Sequence, residues 1–241
     1  MVGRKHTGPS HARKQQEVIL IRHGQSTANA SGVWQGQLDF PLSDQGRLQS
    51  ATAGRALKGT NISGIYSSPL SRAFETAEIV AGEADFSGEV VPMPDLMERH
   101  GGVLQGHTWA EQEAHNPAFV EKFLALPEEE RWSFAGAESD EEILARFERA
   151  LSTIRSRHPI SEGSLVVVSH GGVMRAFLRD LFGPTVLPDA ERAPNASITR
   201  LLYDGAGANA TPQLLELAST QHLPDETPPT SQAVVRNDGQ E

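Results

Sequence analysis

Along the chain, short runs of aliphatic and β-branched residues alternate with longer stretches in which apolar side chains recur every three or four positions. Residues 18–21 (VILI), 62–67 (ISGIYS) and 165–169 (LVVVS) read as strands, each bounded by polar residues. Helices are expected after them. Ser43 or Asp44 caps one that runs through Leu57, and Ser139 caps another through about Arg157, with Glu142 completing a capping box. In the latter Leu144, Phe147, Leu151 and Ile154 form one apolar face, read as core. Val173, Met174, Phe177, Leu178 and Leu181 make a similar stripe immediately after Gly172. Residues 198–203 and 213–217 read as two short strands joined by a Gly- and Asn-rich turn at 204–209, an edge hairpin. Strands alternating with helices predict an α/β fold, a largely parallel sheet with helices packed on it.

The two ends break this pattern. Residues 1–16 are polar and carry Arg4, Lys5, Arg13 and Lys14, and residues 223–241 are rich in Pro, Asp, Glu, Thr and Gln. Neither stretch has the apolar surface to offset its ordering entropy. The expectation is a disordered basic arm (1–16), one domain (17–222) and a disordered tail (223–241).

Composition narrows the function. The formal net charge of -10 disfavours nonspecific binding to nucleic acid or an anionic membrane. The absence of Cys excludes disulfides, thiolate catalysis and Cys-ligated zinc. No apolar run approaches the roughly 20 residues that span a bilayer, and no apolar segment follows the N-terminal basic residues as in a secretory signal. A cytoplasmic address is expected. A homodimer through the edge near residues 197–217 is the candidate assembly.

In open α/β sheets ligands bind beyond the carboxyl ends of the strands. Those ends here carry Arg22, His23 and Gly24; Ser67, Ser68 and Pro69, with Arg72 close behind; and His170, Gly171 and Gly172. Arg clamps phosphate oxygens, Gly lets backbone N–H groups approach an anion, and a helix N-terminus adds partial positive charge. Such a pocket binds a phosphate ester. A neutral imidazole attacks phosphorus in line, and water later hydrolyses the phosphohistidine. Charge on the equatorial oxygens is then stabilised by the arginines and the second histidine. This chemistry calls for no metal and no cofactor.

VILIRHGQSTAN (18–29), IYSSPLSRAFETAEIV (65–80) and LVVVSHGGVMRAFL (165–178) together resemble the signature blocks of the histidine phosphatase superfamily. GQLDFPLSDQGRLQS (36–50), DLMERHGGVLQG (95–106), GAESDEEILAR (136–146) and PNASITRL (194–201) extend the resemblance over most of residues 17–222. It implies a phosphoglycerate mutase-like three-layer sandwich, with helices on both faces of the sheet. It also implies a phosphoric monoester hydrolase acting on small phosphorylated metabolites. By that resemblance His23 is the phosphorylated nucleophile, Arg22 and Arg72 clamp the phosphate, and His170 is the second histidine of the pocket. Glu98 stands where the family keeps its proton donor, and burial beside phosphate is expected to keep part of it in the acid form. Asp95 is a weaker candidate. Asn29 and Gly171 are candidate phosphate contacts, and Gln25, Ser26, Arg99 and His100 are candidate substrate contacts. Gln25 departs from the Glu of many relatives but keeps a hydrogen-bonding amide.

Other readings compete. His100, His107 and His115 lie about two helical turns apart, but Gly101, Gly102 and Gly106 interrupt any helix there, and no zinc site is expected. The segment after Glu98 also resembles cofactor-dependent phosphoglycerate mutases. Gly101 stands where those enzymes carry a Tyr, Trp109 lies near a Lys position, and the insertion at about 99–135 has Arg131 rather than an Arg pair. PNASITRL resembles the phosphatase branch more closely, so hydrolysis is the preferred expectation and mutase transfer the alternative. Superfamily members that have lost catalysis and bind proteins or phosphopeptides usually replace the nucleophile or an arginine. This chain keeps both.

Overall fold

Residues 18–21 form the centre of the first strand, and their side chains are fully buried. The computed structural model describes residues 15–160, 162–187, 193–205 and 211–224. Strand β1 (Gln15–Arg22) leads through the one-turn helix α1 (Thr27–Ala30) to α2 (Asp44–Ala56), β2 (Ile62–Ser67), α3 (Ser71–Glu83) and β3 (Val90–Pro92). Two 3-10 turns, Pro94–Leu96 and Gly102–Leu104, precede the short helices α4 (Trp109–His115), α5 (Pro117–Ala125) and α6 (Glu128–Phe134). The chain then returns to the sheet through α7 (Asp140–Arg157), β4 (Ser164–Ser169), α8 (Gly171–Phe182), β5 (Ile198–Asp204) and β6 (Gln213–Ser219).

The six strands form one sheet in the order β3-β2-β4-β1-β5-β6. The pairs β3/β2, β2/β4 and β4/β1 are parallel, whereas β5 runs antiparallel to both β1 and β6. A parallel sheet buried on both faces needs unbroken aliphatic strands, and β4 supplies one. Successive side chains point to opposite faces. Val18, Leu20, Leu165 and Val167 accordingly pack under α7 and α8, while Ile19, Ile21, Val166 and Val168 pack over α2 and α3. Each such side chain contributes about 1.5–3 kcal/mol. The result is a three-layer α/β sandwich with a mostly parallel sheet.

Helix ends follow the caps in the sequence. Ser43 Oγ accepts from the Gly46 N–H at 3.0 Å, and Ser139 and Glu142 exchange side-chain and backbone bonds across the first turn of α7. The buried face of α7 consists of Ile143, Phe147, Ala150, Leu151 and Ile154. Leu144, read with that face, is instead half-buried and borders the cavity described below. A helix advances about 100° per residue, so a shift of one position moves the stripe from the sheet to the adjoining groove.

The structure moves two expected boundaries. Gln15 and Gln16 lie inside β1, paired with Asp204 and Tyr203, and Gln15 Nε2 donates to Asp204 Oδ1 at 2.8 Å. Backbone pairing extends the strand where hydrophobicity is silent, so the arm assigned to 1–16 cannot include them. At the other end Leu223, placed in the tail, is 9% exposed and packs in the α2/α3 layer with Ala196 and Ile198. Residues 1–14 and 225–241 of the tails, and residues 206–209 of the turn expected at 204–209, lie outside the described residues. The hairpin strands β5 and β6 are present, with β6 alone at the edge. Among the described residues no helix is long and apolar enough to cross a membrane.

Candidate active site

Strands β1 and β4 are adjacent and parallel, so their carboxyl ends lie side by side, with β2 next to β4. His23 follows β1, Ser68 follows β2 and His170 follows β4, all essentially buried. The imidazoles of His23 and His170 meet edge to face with ring centroids 5.0 Å apart. His23 Nδ1 lies 2.7 Å from the Gly24 carbonyl. A carbonyl only accepts, so Nδ1 carries the proton and Nε2 holds the lone pair. His170 Nε2 is 2.8 Å from Ser68 Oγ. Burial pushes both imidazoles well below their usual 6.5, and the positive charge of Arg72 acts in the same direction. His23 is therefore neutral near pH 7, as a nucleophile must be.

Arginine surrounds this pair. Arg22 is 3% exposed, and its Nη1 donates to the Ala193 carbonyl at 2.5 Å. A Cβ on Gly171 would stand 3.1 Å from Arg22 Nε, a tight contact for the guanidinium packed there. Arg72, on the first turn of α3, is 1% exposed and donates to the carbonyls of Gly36 at 2.8 Å and Leu38 at 3.0 Å. Its Nε has no hydrogen-bond partner. Burial pulls its guanidinium down to about 10, against the opposing pull of Glu98 and Asp39, so it stays charged at neutral pH.

Glu98 follows the first 3-10 turn and meets the N-terminus of α8. Its carboxylate accepts from the backbone N–H groups of Arg99 at 2.8 Å, Gly172 at 2.9 Å and Val173 at 3.0 Å. The N–H groups at this helix terminus are thus met by the protein's own side chain. A Cβ on Gly172 would lie 2.6 Å from Glu98 Oε1, which explains the second glycine of the pair. Arg146 of α7 fixes the segment from behind, donating to the carbonyls of Asp95, Met97 and Glu98 at 3.0, 2.6 and 3.0 Å.

These groups open into a cavity of about 380 Å³. It brings together Arg22, His23, Asn29, Arg72, Glu98, Arg99 and Gly171 from the residues singled out in the sequence. His170 is not among the lining side chains, but its ring meets that of His23 and its buried Nδ1 has no hydrogen-bond partner. Gln25 and Ser26 are also outside: Gln25 bonds Ser43 and Gln49, while Ser26 caps α1 and donates to Gln35. Arg99 reaches the wall, but its guanidinium bonds the Glu138 carbonyl and Asp140 and stacks 4.4 Å over the Trp132 ring. His100 is exposed and lies 3.2 Å from Gln105. Asp95 is tied to Arg149 at 2.9 and 3.0 Å, away from the cavity. His100, His107 and His115 do not converge; among the described residues no group of three His, Cys, Asp or Glu side chains is placed to hold a metal ion.

The sequence reading missed the outer wall. Arg175 and Arg179 line the cavity from α8, with Asp140, Asp180 and the indoles of Trp34 and Trp132. The two arginines stand one turn apart, opposite the apolar stripe of that helix, a signal that was available. Nothing local announces the tryptophans, whose rings lie 6.0 Å apart although they are distant in sequence.

The chain belongs to the histidine phosphatase superfamily (branch 1), whose family model matches residues 18–212. Among its relatives, a metal-independent phosphoserine phosphatase of Arabidopsis thaliana is 36% identical over 76% of this chain and 74% of its own length. A 2,3-bisphosphoglycerate-dependent phosphoglycerate mutase of Staphylococcus haemolyticus is 31% identical over 68% of this chain and 84% of its own. A mycobacterial glucosyl-3-phosphoglycerate phosphatase, solved with VO3, superimposes with a TM-score of 0.71 at 28% identity, covering 86% of this chain and 99% of that one.

Proposed function

We propose that this protein hydrolyses small phosphomonoesters, without a metal, through a phosphohistidine on His23. The observation that carries the reading is the state of that imidazole. It is buried and neutral, its Nδ1 is bound to a carbonyl so that Nε2 keeps the lone pair, and it lines a cavity that Arg22 and Arg72 also line. Arg22 and Arg72 hold the phosphoryl oxygens while Nε2 attacks phosphorus and the ester oxygen departs in line. His170, with Nε2 held by Ser68 Oγ and its buried Nδ1 without a protein partner, supplies a donor to the transferring group. Glu98 protonates the leaving oxygen and then takes a proton from the water that attacks the phosphohistidine, so one carboxyl serves both half-reactions. Asn29 and Gly171 border the phosphoryl position. Arg175 and Arg179, farther out, suit a leaving group that carries an acid, and the phosphoserine of the plant relative is the first substrate to try.

Mutase transfer remains the competing outcome, because the same phosphohistidine can pass its phosphoryl group to a second ester. Neither compared position of the insertion supplies a cation for that purpose: Arg131 donates to the carbonyls of Leu124 and Leu126, and Trp109 packs in the apolar cluster of the insertion. Phosphate release from phosphoserine, sugar phosphates and phosphoglycerates should be measured beside 3-phosphoglycerate isomerisation. Hydrolysis that is lost in His23→Ala, with acid-labile phosphate trapped on the wild-type protein, is the expected result. Rapid isomerisation dependent on 2,3-bisphosphoglycerate would overturn it.

A further inference from the structure

The motif at residues 194–197 takes no part in the mechanism above, yet it closes around the nucleophile. Asn195 is 1% exposed, and its Nδ2 donates to the His23 carbonyl at 3.0 Å and to Asn29 Oδ1 at 3.2 Å. The Ala196 N–H donates to the same His23 carbonyl at 3.1 Å. Turning the Asn195 amide over would set oxygen against two oxygens, so the nitrogen must face them. Its Oδ1 is then buried without a hydrogen-bond partner. An orphaned buried acceptor is costly and uncommon in folded proteins, and its retention here marks the value of the two donated bonds.

Ala196 carries a second departure. Its φ of 57° lies in the left-handed region, which residues with a Cβ seldom occupy. That turn aims its N–H at His23, and its own carbonyl lies 3.0 Å from His222 Nε2, anchoring it from the segment after β6. The effect extends to Asn29. Its Oδ1 accepts from Ser26 N at 3.2 Å and Asn195 Nδ2 at 3.2 Å. With the oxygen occupied by protein donors, the amide nitrogen is the end of Asn29 left for the cavity it lines.

We propose that Asn195 is a positioning residue of the phosphoryl-transfer site: it fixes the backbone of His23 and turns the Asn29 amide so that its N–H groups meet the phosphate. The inference rests on the phosphatase reading above. Its test compares Asn195→Ala with the wild type by hydrolysis of p-nitrophenyl phosphate and by calorimetric titration with inorganic phosphate, each repeated in an Asn29→Ala background. The expected result is a fall of about 10- to 100-fold in kcat and a loss of about tenfold in phosphate affinity, the latter shrinking to about twofold or less when Asn29 is already Ala. A merely structural role would instead repeat the same fold-loss in both backgrounds. That repetition, or kcat and phosphate affinity within twofold of the wild type in folded Asn195→Ala, would overturn the proposal. Should the Ala variant fail to fold, Asn195→Ser carries the same cycle with less packing removed. The phosphate titration needs no turnover, so a protein that proved not to be a phosphatase would still report on the positioning.

Discussion

The inner end of the cavity and its outer wall are built in different ways. At the inner end, His23, Arg72 and His170 come from strand ends and a helix N-terminus, Glu98 from the loop after a 3-10 turn, and their contacts run mainly to backbone: the carbonyls of Gly24, Gly36 and Leu38, and the N–H groups of Arg99, Gly172 and Val173. The outer wall borrows from a small aromatic cluster, in which Trp34, Trp109, Phe119, Phe123, Trp132 and Phe134 pack around Leu104 and Ala135. There Arg99 is held largely by a stacked ring and a carboxylate. Backbone contacts survive most substitutions of neighbouring side chains, whereas side-chain contacts do not. The chemistry should therefore be set by the inner end and the choice of substrate by the wall.

Removing the nucleophile tests the inner end most severely. His23→Ala should lower kcat by about ten-thousandfold or more while leaving the fold intact, read by phosphate release and far-UV circular dichroism. Activity within tenfold of the wild type would remove His23 from the reaction.

Arg72 comes next. Arg72→Met should cost about a thousandfold in kcat/KM, since a buried charge aimed at the transferring group is lost. It should also shift the pH profile. Catalysis needs neutral His23, whose proton affinity is lowered by burial and by the charges of Arg72 and Arg22. The acid limb of the wild type therefore lies below pH 6.5, and deleting one of those charges moves it upward. Because both histidines titrate at lower pH folded than unfolded, the unfolded chain binds more protons in that window. Their contribution to stability is then fully present above about pH 6.5 and is lost as pH falls below it. A thermal midpoint that rose on acidification from pH 6.5 to 5.5 would contradict the buried, neutral assignment.

Much of the inner end was legible because its signals are local. Arg22–His23–Gly24 and His170–Gly171–Gly172 each follow a run of aliphatic residues, and a glycine after a strand announces close approach, here of Arg22 and Glu98 to Gly171 and Gly172. The strands, the capped helices and the mostly parallel sheet follow from periods of two and of three to four residues. Apart from Arg175 and Arg179 on α8, the wall gave no such period. Its short helices α4, α5 and α6 carry irregular apolar positions that satisfy one another across the insertion, not the sheet. Trp34 and Trp132 meet only after the chain has folded around them. Gln15 and Gln16 were misplaced for a different reason: an antiparallel partner supplies backbone bonds that no hydrophobic pattern records.

Glu98 stands at the boundary of the two regions, and the nature of the leaving group exposes its role. Glu98→Gln keeps the shape and can still accept from the Arg99 and Val173 N–H groups through its amide oxygen, losing the bond from Gly172, but it cannot pass a proton. The loss in kcat should be about a hundredfold for an alkyl phosphate such as phosphoserine and less than about tenfold for p-nitrophenyl phosphate, whose leaving group departs without help. Equal losses on both substrates would make Glu98 a scaffold for α8 and not the proton donor.

The smallest effect is expected at the wall, and it bears most directly on the contrast between the two ends. Trp132→Ala removes the ring under Arg99 and one side of the cavity, and for a half-buried indole the cost to stability should be about 2 kcal/mol. Its kcat on p-nitrophenyl phosphate should stay within about threefold, because no strand-end contact is touched. The ratio of kcat/KM between phosphoserine and larger sugar phosphates should nevertheless change by about threefold to tenfold, the worth of one or two lost pocket contacts. If both substrates instead fell together by a hundredfold with their ratio preserved, the insertion would be supporting the phosphoryl position itself. The division between a backbone-held chemical end and a side-chain-held selective wall would then fail, because Trp132 touches Arg99, whose N–H is one of the three that hold the Glu98 side chain.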